Sequence, residues 1–181
     1  RSVKPYQPPG VWEDAGTGKS YSQDKGEALY RRSLYTFWRR TAPPPSMLTF
    51  DAPSREVCTA KREPTTTPLQ ALVLLNDPQF LEAARVLAQR SWLEAATDDA
   101  SRLARVFRRV IGRDATAAES AVLARLLSHQ RDLFAANPES ARQYLKVGEV
   151  PADPAIPAPE LAAATVVVST LMNHDEFVMK R

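Results

Sequence analysis

The stretch Leu161-Ala162-Ala163-Ala164-Thr165-Val166-Val167-Val168-Ser169-Thr170-Leu171-Met172 decides the fold class. Its middle, Thr165 to Thr170, has the β-branched composition of a strand. Its length, its run of alanines and the Pro159-Glu160 pair at its start fit a helix better. A helix apolar on nearly every side belongs at the centre of a bundle. Read that way, the chain is all-α.

The segments upstream agree. Val150 to Pro159 is a proline-rich connector. Before it, Asn137-Pro138-Glu139 caps a short helix that ends near Gly148. Thr116-Ala117-Ala118-Glu119 is a capping box for a helix that turns Leu123, Leu126, Leu127, Leu133 and Phe134 inward. Thr97, Asp98 and Asp99 open another, with Leu103, Val106, Phe107, Val110 and Ile111 as its inner stripe and Gly112 as its stop. Asn76-Asp77-Pro78 starts a helix to about Ala95 that carries Phe80, Ala83, Ala84 and Leu87 on one face. Thr67-Pro68 opens a short one through Leu75.

The front is different in kind. Arg1 to about Asp24 is rich in Pro and Gly and lacks apolar periodicity, so it is extended, with Trp12 and Tyr6 able to pin it. From Glu27 the spacing Leu29-Tyr30, Ser33-Leu34, Phe37-Trp38 predicts an amphipathic helix over about 27–41. Pro43-Pro44-Pro45 ends it, and the segment through Arg62 reads as an ordered loop. The expected architecture is a bundle of about five to seven helices with an extended Pro-rich N-terminal arm. Residues 1–62 form the arm, helix and loop, packed as one domain on a helical body of residues 63–181. No period of 20–50 residues suggests a solenoid.

Composition narrows function. The 181 residues are 44% apolar and 25% charged, enough for one core. No run approaches the roughly 20 apolar residues of a membrane span. Cys58, the single cysteine, cannot form an internal disulfide, and two histidines exclude a multi-histidine metal centre within the chain. The start at Arg1, without Met or a leader, suggests a portion of something longer. Residues 1–62 hold 11 Lys and Arg against 6 Asp and Glu. That excess suits nucleic acid or an acidic partner. Without an aromatic-interleaved basic stripe it more simply ties an irregular segment onto an acidic body.

Few residues suggest chemistry. Gly16-Thr17-Gly18-Lys19-Ser20 lacks the leading glycine of a phosphate-binding loop, because Glu13 stands there, and no strand leads into it. His129, beside Leu126 and Leu133, reads as a boundary or core residue. His174, followed by Asp175 and Glu176, has the neighbours of a catalytic base but reads more simply as a helix-end histidine on the C-terminal dipole. Cys58 reads as a small buried apolar residue, and Met47, Met172 and Met179 as packing residues rather than axial haem ligands. The densest polar grouping is Asp51, Arg55, Glu56, Arg62, Thr66, Thr67, Gln70, Asn76 and Asp77. It reads as an Asp–Arg network, Asp51 with Arg55 first, that organises the loop. The functional reading is a pocket for a ligand or partner domain.

Tyr30-Arg31-Arg32-Ser33-Leu34-Tyr35-Thr36-Phe37-Trp38-Arg39-Arg40-Thr41, Pro43-Pro44-Pro45-Ser46-Met47 and Phe50-Asp51-Ala52-Pro53 with Arg55-Glu56-Val57-Cys58 form one group of motifs. Thr67-Pro68-Leu69-Gln70-Ala71-Leu72 with Leu75-Asn76-Asp77-Pro78 joins them, as do Lys4-Pro5-Tyr6-Gln7-Pro8-Pro9 and the closing Leu171 to Phe177. Together they resemble the C-terminal part of the planctomycete-specific, cytochrome-c-associated domain family of unknown function. Thr66 stands where that family often carries Asn. The resemblance implies a large exported or cell-envelope parent with a companion domain and any c-type haem held elsewhere; it supplies no catalytic residues. The leading expectation is therefore a non-catalytic domain that docks on its companion through Arg31, Arg32, Arg55, Arg62 and the Asp51–Asp77 loop. No cofactor or metal is expected in this chain. The alternatives are half of a hydrolytic or carbohydrate-processing site, using Asp51, Arg55 and His174, and a basic nucleic-acid-binding module.

Overall fold

The computed structural model describes residues 1–181 except 15, 17, 19, 95–97, 180 and 181, and the backbone alone at 14. The regular elements among the described residues are helices, with one isolated β-bridge and no named strand. The chain divides into two compact units, Arg1–Gln70 and Ala71–Arg181.

The first unit is built on irregular backbone. Val3 donates its N–H to the Tyr35 carbonyl (2.8 Å) and accepts from the Phe37 N–H (2.7 Å), forming a parallel bridge with Thr36. Lys4 donates its amide to the Asp24 carboxylate (2.8 Å), and the Asp24 amide returns to the Lys4 carbonyl (2.9 Å). Trp12, in the short helix α1 (Val11–Asp14), lies edge-on to Tyr21 at 5.1 Å and tilted to Phe37 at 5.8 Å. The Lys4 ammonium lies 5.6 Å and the Arg39 guanidinium 4.6 Å from the Trp12 ring centroid. This cation–aromatic cluster ties the extended arm to residues 35–39. Burial and the nearby Asp24 charge push the Tyr21 hydroxyl well above its ordinary pKa, so it stays protonated as it donates to the Pro5 carbonyl.

The amphipathic helix expected over 27–41 is not present. Two 3-10 turns, Gly26–Tyr30 and Ser33–Tyr35, replace it. Tyr35-Thr36-Phe37-Trp38 is aromatic and β-branched, a composition with weak helix and strong extended propensity. Val3 pairs with the Tyr35 carbonyl and the Phe37 amide, and this nonlocal contact overrides the periodicity. Pro45 then opens α2 (Pro45–Thr49).

Helix α3 (Pro68–Asn76) carries the chain into the second unit. There, α4 (Pro78–Leu93), α5 (Asp99–Ile111), α6 (Ala117–Ala136) and α7 (Pro138–Tyr144) surround α8 (Ala158–Met172), and α9 (Asp175–Val178) closes against α5 and α8. Leu161 through Thr165, Val167 through Ser169, Leu171 and Met172 are all buried, so the stretch that reads two ways is the central helix. Its inner partners include Trp92, Phe107, Leu123 and Leu127. The expected caps form at Asp77 for α4, at Thr116 and Glu119 as a reciprocal box for α6, and at Asn137 for α7, with Gly112 left-handed at φ 89° after α5. Asp98 caps α5, accepting from the Ser101 amide (2.8 Å). The expected roles of Ala95 and Thr97 lie outside the described residues.

Two inner faces differ from expectation. On α6, Leu133 is exposed. On α4, Ala83 is exposed and the buried face is Glu82, Ala84, Arg85, Ala88, Ser91 and Trp92. The rotation follows from the loop after α7. Glu82 accepts from the amides of Val150 (2.7 Å) and Glu149 (3.2 Å), and Arg85 donates to the Val150 carbonyl. Polar side chains turn inward there and supply partners to the Glu149 and Val150 amides and the Val150 carbonyl, which no helix or sheet ladder satisfies.

Two ion networks stitch the helices. Arg131 of α6 holds Glu160 at the start of α8 (2.6 Å) and Asp99 at the start of α5 (2.8 Å), and the Trp92 indole donates to Glu160 (2.6 Å). Arg113 binds Glu119 (2.8 Å) and Glu176 of α9 (2.8 Å).

Candidate functional site

The residues expected to form a polar site separate into local structures. Asp51 has φ 58°, a left-handed conformation that Asp tolerates better than most residues. Its carboxylate accepts from the Thr65 amide (2.7 Å) and hydroxyl (2.9 Å). Those bonds, with smaller help from Gln70 and the Arg62 charge, hold its pKa below the usual range. Arg55 does not pair with it. At φ 64°, Arg55 lies over the Trp38 ring, 4.5 Å from its centroid. The expected Asp51–Arg55 pair is therefore corrected: the left-handed turns at both positions aim the two side chains at other partners.

Gln70 is the hub of this loop. Its carbonyl oxygen accepts from the Thr67 amide (3.1 Å) while the Thr67 hydroxyl accepts from the Gln70 amide (3.3 Å), a capping box at the start of α3. Its Nε2 donates to the Thr49 carbonyl (2.8 Å) and the Thr65 hydroxyl (3.1 Å). The Thr67-x-x-Gln70 pattern is the sequence signal for that box. Arg62 is exposed and acts on Asp51 only through its charge. Asn76 and Asp77 belong to the second unit. Asn76 donates back to the Leu72 carbonyl (2.8 Å), and Asp77 caps α4 by accepting from the Gln79 amide (2.8 Å). Burial pushes the Asp77 pKa up despite that bond. The grouping comprises a loop lock in the first unit and a helix cap in the second.

The remaining candidates are also corrected. Cys58 is exposed, because the whole 53–66 segment is open. His129 is exposed as well, on the outer face of α6. His174 does not sit on a C-terminal dipole: its Nδ1 accepts from the Glu176 amide (3.3 Å) at the start of α9. Of the glycine-rich stretch, Thr17 and Lys19 lie outside the described residues.

What the arm does present is an open surface. Tyr30, Leu34 and Tyr35 are 56%, 77% and 41% exposed, and Arg31 and Arg32 between them are exposed too. The Arg31 guanidinium carbon lies over the Tyr35 ring, 5.8 Å from its centroid. Among the described residues, neither arginine is in an ion pair. Arg31 also borders a shallow groove of ≈ 420 Å³ lined by Val3, Asp24, Lys25, Glu27 and Ala28. Periodicity concealed this surface by assigning Tyr30 and Leu34 to a buried helical face; the extended propensity of Tyr35 to Trp38 was the signal that could have exposed it.

Among the described residues no group of three or more His, Cys, Asp and Glu could hold a metal ion, and no helix is long and apolar enough to cross a membrane. A family model described as PSD1, protein of unknown function (DUF1553), matches residues 1–127. The match stops short of α8 and of the closing Leu171–Phe177 motif. No curated protein and no solved structure matches the chain.

Proposed function

We propose, from the premise that this chain belongs to the PSD1 family of proteins of unknown function (DUF1553), that it is a non-catalytic docking domain. On this reading it is the helical C-terminal part of a larger exported, cytochrome-c-associated protein and packs on a companion domain of the same parent. The observation that carries the reading is the open Tyr30–Tyr35 surface. Large apolar side chains interleaved with arginine are what protein interfaces bury at their centres. The proposed contact narrows to Arg31 and Arg32 with their aromatic and leucine neighbours, because Asp51, Arg55 and Gln70 are engaged inside the loop.

The enzyme alternative has less support. Asp51 is bound by Thr65, Arg55 rests on Trp38 and His174 accepts from its own helix, so each has a local structural task.

Radical footprinting of the intact parent against the 181-residue chain tests the docking reading. Tyr30, Leu34 and Tyr35 should lose most of their reactivity in the parent, while exposed Val122 on α6 keeps its own. Equal reactivity at Tyr30 and Leu34 in both proteins would refute it.

A further inference from the structure

Resting on that docking reading, the geometry points to the chemistry of the partner: we infer that Tyr30, Arg31, Arg32, Leu34 and Tyr35 receive an acidic, apolar-studded peptide segment. Charge supplies the first reason. Around this surface the cations Arg1, Lys25, Arg31 and Arg32 outnumber the carboxylates Asp24 and Glu27. In the second unit, by contrast, Arg105 and Arg109 of α5 pair with Glu94, and Arg131 of α6 pairs with Asp99 and Glu160.

Placement supplies the second. The Arg31 guanidinium carbon lies over the Tyr35 ring, 5.8 Å from its centroid. Among the described residues no ion pair engages its N–H fork, which matches the two oxygens of a carboxylate. The ring restrains the side chain beforehand, so less freedom is lost on binding. Tyr30 and Leu34, flanking the two arginines in sequence, then offer exposed apolar contact area, which a purely anionic polymer would leave uncovered. A carboxylate-bearing segment with apolar side chains matches both features at once. A nucleic-acid strand would match the cations and aromatic rings but leave Leu34 unexplained.

Binding to the 181-residue chain should be followed by calorimetry with three probes: a short peptide alternating Glu with Leu and Phe, its counterpart with Gln in place of Glu, and oligothymidylate. The Glu peptide should bind, weaken as salt is raised, and lose about tenfold in affinity on Arg31→Gln with Arg32→Gln, the scale of a hot-spot arginine. Leu34→Ser should weaken it independently. The positions are exposed, so the variants should retain the fold; unchanged circular dichroism checks this. Equal binding of the Gln peptide, or tighter binding of oligothymidylate, overturns the inference. In the parent, protection of Tyr30 that survives Arg31→Glu with Arg32→Glu would sink the acidic partner while leaving docking intact; loss of that protection supports it.

Discussion

Gly148 has φ 95°, and a Cβ there would lie 2.6 Å from Cδ of Glu82. Glu82 cannot easily yield, since it is held by the Glu149 and Val150 amides. Gly148→Ala should therefore cost about 2–3 kcal/mol, combining backbone strain with overpacking. Gly112→Ala meets nothing within 4 Å at φ 89° and should cost only about 1 kcal/mol. Urea unfolding of both variants measures the gap, and equal losses would refute the clash. Gln70→Ala should lower stability by about 1–2 kcal/mol through the lost cap and the unpaired Thr49 carbonyl. Faster hydrogen exchange at the Thr67 amide would report the same loss. At this scale the sequence was only partly legible. Residue type showed that Asp51 and Gln70 needed partners in a loop, but their choice depends on left-handed backbone at Asp51 and Arg55 that type alone does not encode. Cys58 and His129 were misplaced for a related reason: inward or outward placement follows from the path of the surrounding chain.

Helix ends were legible where their signals are local. Thr116 with Glu119, Asp77, Asn137 and Gly112 each act within four residues of themselves, and each forms as the spacing predicts. The 27–41 segment was not legible, because its Tyr35 carbonyl and Phe37 amide pair with Val3, far away along the chain. Between helices, the ion networks make a pH prediction. Arg131 holds the Asp99 pKa low, and Arg113 does the same for Glu119 and Glu176. Burial alone would raise Glu160, but Arg131 and the Trp92 indole outweigh it and leave it low. Groups depressed in the folded state add stability that is complete above their unfolded values near pH 4 and disappears as pH falls through the folded ones. Urea midpoints should thus change little from these groups between pH 7 and about 5, then decline toward acid. Arg131→Met should cost about 1–2 kcal/mol at neutral pH after solvent screening. Burial would then dominate at Glu160 and raise it above its unfolded value, so part of the deficit should return on acidification from pH 7 to about 5. A deficit that grows over that range would contradict this account.

For the whole chain, α8 carries the largest share of the buried apolar side chains in the second unit, although the family match ends at residue 127. The all-α class was legible because that segment is too long and too uniformly apolar for anything but a central helix. Leu161→Ala should cost about 3 kcal/mol as a cavity in a site with no exposure. A chain ended at residue 127 should keep helical circular dichroism, lose its cooperative unfolding transition and bind a hydrophobic dye. A sharp transition in that shortened chain would show that α4, α5 and part of α6 are sufficient without α8. The order of synthesis gives the same feature a temporal side. Helix α4 is finished at Leu93 but its mate begins at Ala158, so at roughly 5–20 residues per second the ribosome leaves its inner stripe naked for some seconds. Nascent chains of this protein should therefore depend on a holding chaperone until the last long helix emerges.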